Sequence, residues 1–348
     1  MPVIVRHAIN LTVSNNNFSY HSNGIDYNLI HTYASMGAIP IFLLGAVANI
    51  FILYVIAIYS KFRKRIYNLI CVTVISDILS TLICSISYIL VVAINVQHLL
   101  GRVLCRVLVF IVMTSYGISI LTLSAIALDR LQAITKPITF IYWRRKYKIM
   151  IISQVLIWTI SIAVSSPFLI FIDTYPDEGK FCDFPTITAV NSLFFIILTL
   201  CYFVVPSTIF IVSYSKIIKY MKSYTPPGQL NFNQDQSQKK KNFIKMLILI
   251  TASHLLITWP YFATNIGMAI NRYSLRQLRQ NHFVYYLLAF FSYATTTAVS
   301  VANPFLFLKF DANIRAKSWE IIKRLAIANC CYPSISAVTP ITECPVPS

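Results

Sequence analysis

Two adjacent ionisable residues, Asp129 and Arg130, close an uncharged apolar run from Val107 to Leu128. A charge beside such a run is costly unless it has a partner. The pair therefore either marks the end of a membrane span or works as an ion pair at its mouth. A second candidate is Asp77, the only acid deep inside an apolar segment. Asn49, Ser119, Ser300 and Asn303 lie in other apolar segments and can converge on it. One carboxylate with neutral oxygens suits a small hard cation such as sodium, or a protonated, hydrogen-bonded acid. The same set also reads as an interhelical hydrogen-bond cluster of modest energy. His254 stands alone and reads as a packing residue. HExxH, G-x-S-x-G and P-loop patterns are absent, so an enzyme reading has nothing to rest on.

The elements that must position these residues are apolar. Hydrophobic residues make up 57% of the 348-residue chain and charged residues 11%, against about 25% charged in a soluble domain. Mean hydropathy is +0.67. Seven segments read as membrane spans: Tyr33–Tyr59, Ile66–Val96, Val107–Leu128, Ile149–Ile172, Phe184–Ser215, Met246–Asn271 and Asn281–Leu308. Each supplies the ~20 apolar residues that a helix needs to cross a bilayer. Strands of a membrane barrel would alternate in polarity and be about half as long. The fold class is therefore all-α, a seven-helix bundle spanning residues 33–308.

Orientation follows from the basic residues. Of the 29 Lys and Arg, only Arg6, Arg102, Arg106, Lys180, Arg272, Arg276 and Arg279 fall on the side of the N-terminus. The positive-inside rule then places the N-terminus outside and the C-terminus in the cytosol of a multi-pass plasma-membrane protein. The net charge of +18 sits in short clusters between spans, not in an aromatic-lined groove, so nucleic-acid binding is rejected. Residues 1–32 are polar with no signal-peptide core, so the first span serves as its own targeting signal. They carry two glycosylation sequons, at Asn10 and Asn17, on the outer side. Cys105 and Cys182 also fall outside, as a disulfide or as two free thiols. Cys71, Cys84 and Cys201 read as small packing residues.

Tyr224–Gln238 reads as a flexible loop. Residues 309–331 combine Phe310, Ile314, Ile321, Ile322 and Leu325 at helical spacing with interleaved bases, which fits a short amphipathic helix on the inner leaflet. Cys330 and Cys331 are then palmitoylation candidates, and 332–348 is a cytoplasmic tail. Pro206, Pro260 and Pro304 lie in the fifth, sixth and seventh spans and favour kinks. Hinges there would pivot the inner halves while the outer halves hold a ligand.

Taken together, these residues resemble the rhodopsin-like, or class A, family of G-protein-coupled receptors over residues 33–331. The family pattern has Asn in span 1 (Asn49), Asp in span 2 (Asp77), and Asp-Arg-Tyr closing span 3, here Asp129-Arg130-Leu131. It continues with Trp in span 4 (Trp158) and Pro followed by Tyr in span 5 (Pro206, Tyr214). Trp-x-Pro occupies span 6, and Asn-Pro-x-x-Tyr span 7, here Asn303 to Phe307. The resemblance implies an outer disulfide between Cys105 and Cys182. It implies that Arg130, held by Asp129 at rest, turns to a heterotrimeric G protein on activation, with Leu131, Tyr214 and Phe307 around it. Arrestin and a receptor kinase are implied as further partners. Asp77, Ser119, Ser300 and Asn303 match the family's sodium pocket, and Ile120 and Pro206 its connector to the hinge.

The departures are specific. Trp259 stands next to Pro260, so Thr258 takes the place of the usual indole. His254 replaces the connector's Phe, and Phe307 the final Tyr. Lys240 stands where an acid normally restrains Arg130. These changes predict a loosely locked resting state with basal signalling.

By the same resemblance, Val112, Met113, Tyr116, Tyr202, Tyr261, Phe262, Asn265, Tyr293 and Thr297 would line the ligand pocket. Val112 occupies the position of the acid that binds biogenic amines, and Thr297 that of the opsins' retinal lysine. Val112 thereby argues against monoamine pairing, and Thr297 excludes Schiff-base photochemistry on this alignment. Asp173, Asp177, Glu178 and Asp183 against Lys180 form an acidic loop that would attract a cationic peptide. A small apolar ligand is the second choice. A receptor that binds without signalling, and a transporter, are the rival readings. The transporter would show an internal repeat, and none is visible.

Overall fold

The computed structural model describes residues 27–62, 65–93, 97–135, 140–223 and 232–330. Seven helices within them are long and apolar enough to cross a membrane. They are α1 (Tyr27–Ile58), α2 (Arg65–Ala93), α3 (His98–Thr135), α4 (Phe140–Ser165), α5, α6 (Phe232–Asn271) and α7 (Phe283–Phe310). The fifth is composite: Ala189–Thr199 runs through a π turn, Leu200–Val204, into Val205–Ser223. Helix is dictated by the solvent, because hydrocarbon leaves no external partner for a backbone amide. Exposed apolar side chains such as Val47, Ile152, Ile211 and Leu256 line the outside of the bundle. So much exposed apolar surface suits lipid rather than water.

The helices outrun the apolar segments. α3 begins at His98 rather than Val107, because Arg102 and Arg106 end the apolar run without ending the helix; both find a partner in Asp173. α6 begins at Phe232, so the expected loop to Gln238 is partly helix. α1 starts at Tyr27, within the expected tail. Residues 184–188 are not helical, and α5 begins only at Ala189, where the Thr188 hydroxyl accepts from Asn191 N–H.

One element was not foreseen. Strands β1 (Asp173–Tyr175) and β2 (Glu178–Asp183) pair as an antiparallel hairpin between α4 and α5. The disulfide Cys105–Cys182 pins it to α3, with a Cα–Cα distance of 5.8 Å. Gly101 makes the close approach possible, since a Cβ there would overlap the Gly179 carbonyl. A short helix, Leu275–Asn281, joins α6 to α7 at the same end.

At the opposite end α8 (Ala312–Cys330) follows α7. Asp311 caps it, accepting from the N–H groups of Asn313 and Ile314 at 2.8 and 3.1 Å. The Tyr67 hydroxyl of α2 donates to the same carboxylate at 3.2 Å. Ile314 is buried against the bundle, whereas Trp319 and Ile322 remain exposed, as an apolar face for a leaflet requires. Asn10, Asn17, Cys331 and residues 332–348 lie outside the described residues, as does the side chain of Cys330.

Candidate functional site

Asp77 is fully buried at mid-bundle. Asn303 Nδ2 of α7 donates to its Oδ2 at 2.7 Å, and the Ser119 hydroxyl of α3 to its Oδ1 at 3.3 Å. Ser300 adjoins the same carboxylate. Asn49 does not: its Nδ2 donates instead to the carbonyls of Gly45 and Ser300, both at 2.9 Å, and so fastens α1 to the backbone of α7. The amide oxygens of Asn49 and Asn303 are buried without a hydrogen-bond partner. The orphaned oxygen of Asn303, whose Nδ2 donates to Asp77, fits a small cation or ordered water beside that carboxylate.

Arg130 forms an ion pair with Asp129 at the α8 end, with Leu131 partly buried beside them. Tyr214 is buried and stacked on Phe210, ring centroids 6.3 Å apart. Phe307 is fully buried. The side chain of Lys240 lies outside the described residues.

Between these levels, His254 is buried with its ring 5.3 Å from that of Tyr116. Thr258, one turn on, is buried and donates to the His254 carbonyl at 2.8 Å. Trp259 is 54% exposed on the outside of the bundle. It therefore lies away from the bundle interior, while Pro260 falls inside α6 and Pro304 inside α7. Pro206 follows the π turn of α5, where the missing proline N–H leaves a carbonyl one turn earlier without its usual donor.

The hairpin end holds a half-open cavity of about 300 Å³. Of the nine expected pocket residues, Val112, Met113, Tyr261, Tyr293 and Thr297 lie on its wall. Tyr116, Tyr202, Phe262 and Asn265 do not. The π turn carries Tyr202 round towards α4, where its hydroxyl donates to the Ser161 carbonyl at 2.9 Å. Gly117 makes room for the ring; a Cβ there would collide with it. Asn265 sits behind Tyr293, accepting from its hydroxyl at 3.1 Å. Phe262 stacks on Phe203 and packs against the Tyr261 ring. The cavity accordingly leans towards α1, α2, α3 and α7. His31, Tyr88, Phe290, Lys180 and Phe181 also line it and were missed, because no local pattern reveals which residues of α1, α2, α7 and β2 share one cavity wall.

The acidic loop is neutralised from within, which removes the electrostatic case for a cationic ligand. Asp173 is paired with Arg102 and Arg106 at 2.8 and 3.3 Å, Glu178 with Arg279 at 2.6 Å, and Asp177 with Arg276. Asp183 accepts from four donors: Tyr175 hydroxyl and the N–H groups of Phe184, Leu275 and Arg276. Burial raises its carboxyl above the usual range, and the N–H bonds from Arg276 and Leu275 oppose that. Arg276 holds the exposed Asp177 carboxyl below its usual range by direct hydrogen bonding. The guanidinium groups of Arg276 and Arg279 also stack over Tyr175 and Phe181 at 4.3 and 5.1 Å.

The model of one protein family, described as the seven-transmembrane receptor of the rhodopsin family, matches residues 48–307. Galanin receptor 2a of Danio rerio is 24% identical, across 86% of this chain and 80% of its own. Rhodopsin of Sargocentron microstoma is 25% identical, across 66% and 67%. Neuropeptide Y receptor type 2 of Macaca mulatta is 24% identical, across 79% and 72%. This chain belongs to the rhodopsin family of seven-transmembrane receptors, which are not enzymes.

Proposed function

We propose that the chain binds an extracellular ligand at the hairpin end and activates a heterotrimeric G protein at the Arg130 end. The orientation follows the charge count, with the N-terminus outside and the C-terminus in the cytosol. One observation carries the reading: a ligand-sized cavity and the Asp129–Arg130 pair lie at opposite ends of the bundle, with the Asp77 cluster buried between them. A buried polar cluster that joins α2, α3 and α7 can take two packings, so both ends can bias it.

The test is guanine nucleotide exchange by a purified G protein, with the chain in nanodiscs. Exchange stimulated by the parent and lost in Arg130→Ala supports the reading. No stimulation by the parent under any ligand favours the alternative, a receptor that binds without signalling. Ligand-free exchange equal in parent and Arg130→Ala would count against basal signalling. Arrestin and a receptor kinase are the further cytosolic partners this reading implies.

The relatives' names, galanin and neuropeptide Y receptors, support a peptide as ligand. The cavity holds only the end of one, since about 300 Å³ is at the lower limit of small-molecule pockets. A sodium ion would be held by Asp77 with the oxygens of Ser119, Ser300 and Asn303, and would favour the resting packing. Sodium that raises the melting temperature of the parent, but not of Asp77→Asn, would support it.

A further inference from the structure

Among the described residues, the hairpin and the arginines that pair with it hold five bases and four acids. Arg102, Arg106, Arg276, Arg279 and Lys180 stand against Asp173, Asp177, Glu178 and Asp183. The four arginines pair with Asp173, Asp177 and Glu178. Asp183 turns its oxygens to backbone N–H groups and a tyrosine hydroxyl. Lys180 is left over. It lines the cavity, and among the described residues it has no carboxylate partner.

Among the described residues Lys180 donates to one acceptor, the Val91 carbonyl at 2.8 Å, in the last turn of α2. An ammonium has three donors, so two remain for something else. A helix C-terminus favours a cation but does not neutralise it. Below Lys180 the wall is apolar and aromatic, with Leu108, Val112, Met113 and Tyr261 descending into the bundle. A half-buried ammonium with spare donors above an apolar shaft suits an opposite charge on an apolar body.

We propose that the cavity takes the carboxylate-bearing apolar end of the ligand, with Lys180 as its counter-ion. This rests on the receptor reading above and names the ligand chemistry of that same site. A peptide with a free C-terminal carboxylate and an apolar last residue supplies that chemistry, and so does a medium-chain carboxylic acid.

The experiment uses the purified full chain in nanodiscs and follows its melting temperature, a readout independent of G-protein coupling. The probes are octanoate and decanoate, their methyl esters, and the matching primary amines. A second arm uses synthetic peptides with apolar last residues, each as free acid and as amide. The acids stabilise the parent, whereas the esters, amines and amides do not. Stabilisation by the peptide acids alone assigns the ligand to peptides; stabilisation by the fatty acids alone assigns it to lipids. Lys180→Gln weakens acid binding by about tenfold or more, the scale of a lost hydrogen bond to a charged group, and Lys180→Arg largely preserves it. If Lys180 only capped α2, its loss would lower the melting temperature without discriminating acids from amides. Equal binding of acid and neutral forms, preference for the amines, or no shift with any acid overturns the proposal. The nucleotide-exchange assay then stands or falls separately, on Arg130.

Discussion

The carboxylate of Asp183 accepts from the backbone N–H of Leu275 at 3.1 Å, although the two lie on different loops. With the Arg276 N–H at 2.9 Å and the Tyr175 hydroxyl at 2.9 Å, this bond locks the hairpin to the helix Leu275–Asn281. The two loops thus form one lid, pinned to α3 by the Cys105–Cys182 bond. Asp183→Ala leaves these buried donors unpaired, at about 1–3 kcal/mol. The expected result is a lower melting temperature and faster amide exchange across Leu275–Asn281.

The exposed part of the lid depends on ionisation. Arg276 holds the Asp177 carboxyl below its ordinary value. A depressed carboxyl stabilises the fold above its unfolded value and loses that contribution as pH falls through the folded one. The Asp177–Arg276 link therefore persists at neutral pH and disappears in acid below the ordinary carboxylate range. Because the pair is solvent-exposed, high salt weakens it too. Protection factors at 275–281, corrected for the intrinsic pH dependence of exchange, that stayed constant between neutral and acid pH would contradict this.

Gly117 is required by its neighbour. Gly117→Ala places a methyl group against the Tyr202 ring, and overpacking of that kind costs about 1–3 kcal/mol. Tyr202→Phe gives up only the hydrogen bonds to Ser161 and Ser165, about 0.5–1.5 kcal/mol each. Thermal unfolding should show losses of similar size for the two variants, about 1–3 kcal/mol each.

Arg272 is the one non-glycine residue with positive φ among those described, at 57°. It ends α6, its N–H bonding back to the Met268 carbonyl at 2.8 Å. A side chain in that left-handed conformation costs about 1–2 kcal/mol, which glycine avoids. Arg272→Gly should raise the melting temperature, less the part lost because glycine also frees the unfolded chain. A fall would show that the arginine side chain makes a compensating contact.

Much of the molecule could be read from residue order. Seven apolar stretches and the side on which bases gather follow from polarity and spacing; polarity left open whether Asp77 meets Asn303, and the pairing of Asp129 with Arg130 was implied by the family resemblance. Lipid leaves few choices: an apolar stretch of sufficient length becomes a helix, and a lone buried acid finds the nearest polar partners. Helix ends were less legible, because hydropathy marks the membrane and not the hydrogen-bonded helix. α3 runs back past Arg102 only because Asp173, far along the chain, pairs with it. Folding in three dimensions settled the rest. The π turn before Pro206 rotated Tyr202 off the cavity wall, a shift of register that composition does not encode. Loop folding paired every acid of the hairpin and left Lys180 over the cavity. Which charge is left over depends on distances between segments remote in sequence, and a linear pattern of Asp, Glu, Lys and Arg carries no record of those distances.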